Sequence, residues 1–162
     1  AELDGDGELL LIGDGDRRLG GSELLARFGG SDRFPTLPED PAALVEGIED
    51  AATFESTRST HDVSHGGLAV TLAEMVGEAG AEVTLEGEDP IGRLFSEAVG
   101  RVVVETTDPD AVESRFDGLA PVERLGTTDG TGRLELTVGG ETLEYTADEI
   151  ASLRDAIASG LE

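Results

Sequence analysis

RSTHDVSHGGLAVTLAEM, Arg58 to Met75, is the stretch on which the fold turns. RSTHDV at 58–63 reads as a short strand, SHGG as a polar turn, and the residues beyond as a helix. Leu68, Leu72, Met75 and Val76 follow the i, i+4, i+7, i+8 spacing of one apolar stripe, which predicts a helix over 67–79 packed on the central strands. A strand that feeds a helix through a two-glycine turn belongs to a layered domain of sheet and helices.

Working outward, ELLLIG at 8–13 is a buried strand, and LGGS at 19–22 is a turn whose serine caps a short helix through Phe28. Asp40 and Pro41 open a further helix, because proline lacks an N–H where a helix has no acceptor for one. Leu44, Val45, Ile48 and Ala52 are expected to share one of its faces. Downstream, AEVTLE at 81–86 is a strand, IGRLFSEAV at 91–99 a helix, and RVVVETT at 101–107 a buried strand. Asp108 and Pro109 start the next helix, with Val112 and Phe116 on one side. Strands at 121–125, 133–138 and 142–145 follow, and Asp129-Gly130 and Gly139-Gly140 carry hairpin chemistry. In the closing helix Thr146 and Glu149 form a capping box, and Ile150, Leu153 and Ile157 make the apolar stripe. There is neither a fixed-period repeat nor a low-complexity linker, so residues 1–162 read as a single α+β domain, a layered mixed sheet with packed helices.

Composition narrows the function classes. The 162 residues contain 36 Asp and Glu against 11 basic residues, all arginine, for a formal net charge of −25. The acids are interleaved with periodic apolar residues, as where Leu134, Leu136 and Val138 alternate with Arg133, Glu135 and Thr137, and this is the pattern of a folded chain. Self-repulsion of that size is tolerable where the Debye length falls to about 3 Å, near 1 M salt. A halophilic source is therefore expected. Nucleic acid is not an expected partner, because phosphate binding needs clustered basic residues and the chain has no lysine. No apolar run approaches the roughly 18 residues of a membrane span, and AELDGDGELL resembles no signal peptide, so a soluble cytoplasmic protein without a membrane partner is expected. With no cysteine, thiolate metal sites and disulfides are excluded.

The strand, turn and helix at 61–69 could bind an anion. Gly66 and Gly67 permit close backbone approach, and N–H groups at a helix N-terminus point toward a phosphate. Asp62 could supply a carboxylate to Mg²⁺, a hard cation that bridges readily to phosphates. The bland alternative is a capped helix in which Ser64 accepts an N–H and nothing binds. Glu97 and Arg101, four apart, read on spacing alone as an exposed ion pair. Gly20 and Gly21 suit any tight strand-to-helix turn.

HDVSHGGLAVTLAEM resembles the HDVSDGGL-A-LAEM segment in the C-terminal domain of phosphoribosylformylglycinamidine synthases, within the aminoimidazole ribonucleotide synthase superfamily. GELLLIGDGDRRLGGSELL at 7–25 resembles that domain's opening, and LFSEAVGRVVVET at 94–106 a later segment. With DEIASLRDAIASGL at the end, the likeness spans essentially the whole chain. Selenophosphate synthetases, thiamine-monophosphate kinases and hydrogenase-maturation proteins carry related turns, but LGGSE together with LFSEAVGR favours the purine family. One departure is His65, where the family has Asp; imidazole is a poor Mg²⁺ ligand.

The resemblance implies a domain of a purine-biosynthesis ligase that converts formylglycinamide ribonucleotide to formylglycinamidine ribonucleotide with ATP and glutamine-derived ammonia. It implies ATP/ADP and Mg²⁺ as ligands, with Asp62, Ser64, Gly66, Gly67, Ser96 and Glu97 as nucleotide-facing residues and Asp62 as the metal ligand. No catalytic residue is assigned here, since the family's catalytic histidines lie upstream of this domain. The implied partners are upstream domains of the same synthase, a glutaminase subunit and a small accessory subunit. The competing expectation is an architectural or interaction module whose turn holds no ligand.

Overall fold

Leu9 to Ile12 are buried on both sides of the strand β1 (Glu8–Ile12), and the reason is a sheet covered by helices on both faces. The structure is a computed structural model that describes residues 1–13 and 15–159, with side chains as far as Arg154. In chain order the remaining elements are α1 (Glu23–Phe28), α2 (Pro41–Ala52), β2 (Thr57–Asp62), α3 (Gly67–Met75), β3 (Gly80–Leu85) and α4 (Pro90–Phe95). They continue with β4 (Val102–Thr106), α5 (Pro109–Phe116), β5 (Val122–Asp129), β6 (Arg133–Val138), β7 (Glu141–Thr146) and α6 (Ala147–Ser159). The strands form one mixed sheet in the order β2-β4-β1-β5-β3-β6-β7, in which β3 and β6 run parallel and the other neighbours antiparallel.

Strand alternation divides the core into two layers. Leu10, Ile12, Val102 and Val104 face α2 and α5, where Leu44, Ala51, Val112 and Phe116 complete one cluster. Leu9, Leu11, Val83, Val103, Leu134 and Leu136 face the other way, onto Leu68, Leu72 and Met75 of α3, Leu94 of α4 and Ile150 of α6. Each such side chain removed from water contributes about 1.5–3 kcal/mol. This α+β architecture, a mixed sheet with helices packed on it and α3 against its strands, is the one expected from sequence.

The helix starts follow their capping residues. Ser22, Asp40 and Asp108 each accept an N–H from the residue three positions on. Thr146 and Glu149 exchange the reciprocal bonds of a capping box, at 2.9 and 3.2 Å. Ile150 is buried while Leu153 is 56% exposed, and the side chain of Ile157 lies outside the described residues.

Several expectations are corrected. The Asp129-Gly130 turn does not close a hairpin: β3 lies between β5 and β6, antiparallel to the first and parallel to the second. Asp129 instead caps its own turn, accepting from the N–H and hydroxyl of Thr131. Gly139-Gly140 does join a hairpin, β6 to β7. Helix α3 stops at Met75 instead of 79, since Val76 is extended and the chain turns into β3 at Gly80. Helix α4 ends at Phe95 rather than 99, with Ser96 in extended conformation. On α2 the inward face is Leu44, Gly47 and Ala51 with Ile48 beside them, whereas Val45 is 63% exposed and Ala52 is exposed.

The segment before β1 is held by a buried carboxylate. Glu105 on β4 is fully buried and accepts the N–H groups of Asp4 and Gly5 at 2.7 and 2.8 Å and the Thr128 hydroxyl at 2.7 Å. Leu3 inserts into the α3-side core, and its N–H donates to the Met75 carbonyl at 2.9 Å.

Candidate functional site: a junction of glycine turns

Three segments far apart in sequence meet where β2 runs into α3. Val63 is tied to the sheet by its N–H to the Arg101 carbonyl at 2.9 Å. The chain then turns through Gly66 and Gly67 at φ of +85° and +66°, values that an L side chain rarely adopts. A Cβ on Gly67 would also stand 2.5 Å from the Leu94 carbonyl oxygen, so the start of α3 is seated directly on the end of α4. That seat brings Ser96 and Glu97, just beyond α4, up to the turn.

Glu97 makes the central contact. Its Oε1 accepts the Gly66 N–H at 2.9 Å and the Glu23 N–H at 2.8 Å, which joins the SHGG turn to the LGGSE turn. Ser96 is fully buried, and its hydroxyl donates to the carbonyls of Asp16 and Arg18 at 2.6 and 3.1 Å. The Arg101 guanidinium, also buried, donates to the Ser96 carbonyl at 2.9 Å. Because Arg101 is buried and Glu97 accepts two backbone N–H groups, the reading of Glu97 and Arg101 as an exposed ion pair is replaced by this junction.

The remaining candidates are arranged less closely. Gly67 donates its N–H to the Ser64 carbonyl at 3.0 Å, so both glycine N–H groups already have acceptors inside the protein. The N-cap of α3 is Gly66, which has no side chain to accept an N–H, rather than the expected Ser64. Ser64 and His65 are exposed. The Asp62 carboxylate is 73% exposed and borders a shallow cleft with Ile48, Thr60, His61 and Val102, approaching the His61 ring at 3.8 Å. The Asp62 carbonyl accepts the Thr71 hydroxyl at 3.3 Å, which ties the strand end to α3. His61 lies within 3.5 Å of Glu74, and Glu74 within 3.6 Å of Arg154. Among the described residues no group of three or more His, Cys, Asp or Glu is placed to hold a metal. Asp62 thus fits a Mg²⁺ carried largely by phosphate oxygens, for which one carboxylate suffices, and does not fit an all-protein metal cage.

Sequence reasoning passed over Asp16, which fixes the other side of the junction. Its carboxylate receives the Arg18 guanidinium and the N–H and hydroxyl of Thr36 at 2.8 and 3.0 Å. The Arg18 guanidinium beside it outweighs burial, and with these further donors holds the Asp16 carboxyl well below the usual range. Asp32 plays a similar part by accepting the Leu19 N–H at 2.8 Å. Both aspartates sit in irregular loops, where no periodicity marks a residue, and the only local signal was an acid within two positions of an arginine.

Residues 5–139 match the family described as AIR synthase related protein, C-terminal domain. The chain is 64% identical over 164 residues to a Natronomonas pharaonis protein named phosphoribosylformylglycinamidine synthase subunit PurL, an alignment covering 100% of this chain and 23% of that protein. A Haloarcula marismortui protein of the same name is 52% identical, over 96% of this chain and 23% of its own length. The chain therefore spans about a quarter of the length of these relatives. Among solved structures, T. maritima PurL complexed with ATP superposes with a TM-score of 0.69 at 16% identity, over 93% of this chain and 26% of that one. The complex of the same protein with FGAR gives 0.71 at 17%, over 93% and 28%. These superpositions establish a shared fold.

Proposed function

Because the chain belongs to the C-terminal domain family of AIR synthase related proteins, we propose that it is a domain of a larger cytoplasmic, halophilic phosphoribosylformylglycinamidine synthase. The observation that carries this reading is the identity along the entire chain to haloarchaeal subunits of that name. The whole enzyme would act in purine biosynthesis, joining ammonia from glutamine to formylglycinamide ribonucleotide at the expense of ATP. Its product is formylglycinamidine ribonucleotide, released with ADP and phosphate. The solved relatives bearing ATP, ADP and AMPPCP support a nucleotide ligand, and a relative described as PurLQS supports a complex with a glutaminase and a small accessory subunit.

Within that enzyme the domain would supply one wall of a nucleotide cleft. Asp62, Ser64, Gly66 and Gly67 would face the phosphates, Asp62 contributing a carboxylate to Mg²⁺, and Ser96 and Glu97 would hold that wall in place. Phosphoryl transfer depends on positioning and on cations around the transferring group. The described residues offer no lysine and two imidazoles for such work, so the upstream domains would complete the site. A second reading, an architectural domain without ligand, is favoured by the internal acceptors of both glycine N–H groups.

Calorimetric titration of ADP with Mg²⁺ into the full synthase and its Asp62→Asn variant separates the two. The cleft reading expects weaker, Mg²⁺-dependent binding in the variant, and the architectural reading expects identical isotherms. The 162-residue chain alone is expected to show no ATP turnover, and turnover by the purified fragment would overturn the division of labour proposed here.

A further inference from the structure

We infer that Glu97 is a latch that makes the LGGSE turn and the SHGG turn one cooperative unit. A single atom makes the connection. Glu97 Oε1 accepts both the Glu23 N–H and the Gly66 N–H, at 2.8 and 2.9 Å, across separations of 74 and 31 residues. One torsional excursion of that side chain breaks both bonds together, because the same oxygen serves both donors. Bonds from N–H groups to a carboxylate are charge-assisted and roughly twice as strong as neutral ones, so neither turn loses its partner cheaply.

The surroundings keep the oxygen in place. Gly67 rests on the Leu94 carbonyl, and this fixes the distance between the turn and the chain just after α4. Ser96, the preceding residue, is fully buried and anchored to the Asp16 and Arg18 carbonyls. At the far side Ser22 caps α1 by accepting the Leu25 N–H, while Asp32 holds the Leu19 N–H at 2.8 Å. A displacement of the LGGSE turn is thereby passed to the glycine turn through one carboxylate. Glu97 acts as a positioning residue. Its importance for ligand binding rests on the cleft reading above, whereas the coupling itself does not.

Hydrogen exchange in the full synthase chain tests the latch, followed by mass spectrometry of peptides covering residues 19–25 and 64–70 across a denaturant series. In the wild type the protected amides of Glu23 and Gly66 are expected to open with the same denaturant dependence. In Glu97→Gln both are expected to exchange at least about fivefold faster and to lose that correspondence. Glu97→Asp keeps the charge but is one methylene shorter; it is expected to release one turn while holding the other, and it serves also if the Gln variant fails to fold. Independent opening of the two amides in the wild type, or unchanged exchange in the variants, overturns the latch whatever happens to nucleotide binding. ADP affinity, measured on the same samples, addresses the cleft reading separately. Faster exchange with weakened ADP binding supports both ideas, while faster exchange with unchanged ADP binding upholds the latch and removes the cleft.

Discussion

At the scale of single residues, carboxylates hold the loops of this domain together. Glu105 gathers the segment before β1, Glu97 joins two turns, and Asp16 pins the 15–18 loop to Thr36. In a chain with few cations, most of these bonds come from backbone N–H groups and hydroxyls, with Arg18 as the charged partner at Asp16. Asp16 carries a pH signature. Its carboxyl is held below the ordinary aspartate value, so the unfolded chain takes up that proton more readily than the folded one. Its contribution is complete above about pH 4 and declines as the pH falls below that point. Asp16→Asn is therefore expected to lower stability at pH 7 and to flatten the acid decline below about pH 4, read from urea midpoints at constant KCl. Parallel pH profiles for the variant and the wild type would show that Asp16 is not held this way.

At the scale of elements, α3 packs against the sheet and β3 is inserted between β5 and β6. Leu72 is 1% exposed at the centre of the α3 stripe, and Leu72→Ala is expected to cost about 2–5 kcal/mol, the range for a buried leucine truncated to leave a cavity. A loss under about 0.5 kcal/mol in urea unfolding would contradict the packing of α3 on the sheet. Gly126 lets β5 bend against β3. Its φ is +157°, a Cβ there would stand 1.9 Å from the Glu82 carbonyl oxygen, and the β1 register shifts opposite it. Gly126→Ala is expected to destabilise by about 2 kcal/mol or more and to speed amide exchange in β3 ahead of β2. Exchange raised equally in both strands would mean that the glycine is not local to the β3–β5 pair.

At the scale of the whole molecule, the net charge is the feature on which salt acts. A net charge of −25 on 162 residues is offset only locally by ion pairs, as where Arg124 meets Glu8, Asp110 and Glu113. Surface pairs of this kind contribute about 0–1 kcal/mol each and weaken with salt, so unpaired repulsion is the larger salt-sensitive effect. Raising KCl from 0.1 M to 2 M shortens the Debye length from about 10 Å to below 3 Å, and the melting temperature is expected to rise steeply across that range. A flat melting temperature would remove the argument for adaptation to salt.

What the sequence determined by itself was local. The helix starts at Ser22, Asp40, Asp108 and Thr146, the stripe of α3 and the strand runs of β1 and β4 all depend on neighbours within a few positions, and each formed close to where those neighbours put it. The segments carrying the family likeness were legible for the same reason. Only the tertiary structure decided which strands pair and which site residues meet. A turn at Asp129-Gly130 reads as a hairpin whether or not another strand intervenes, and β3 enters because Ala81, Val83 and Leu85 complete a core reached from distant parts of the chain. Likewise, four-residue spacing offered Arg101, which is in fact buried, as an exposed ion-pair partner for Glu97. Its true partners are backbone N–H groups, which every residue but proline possesses and which no side-chain pattern can mark.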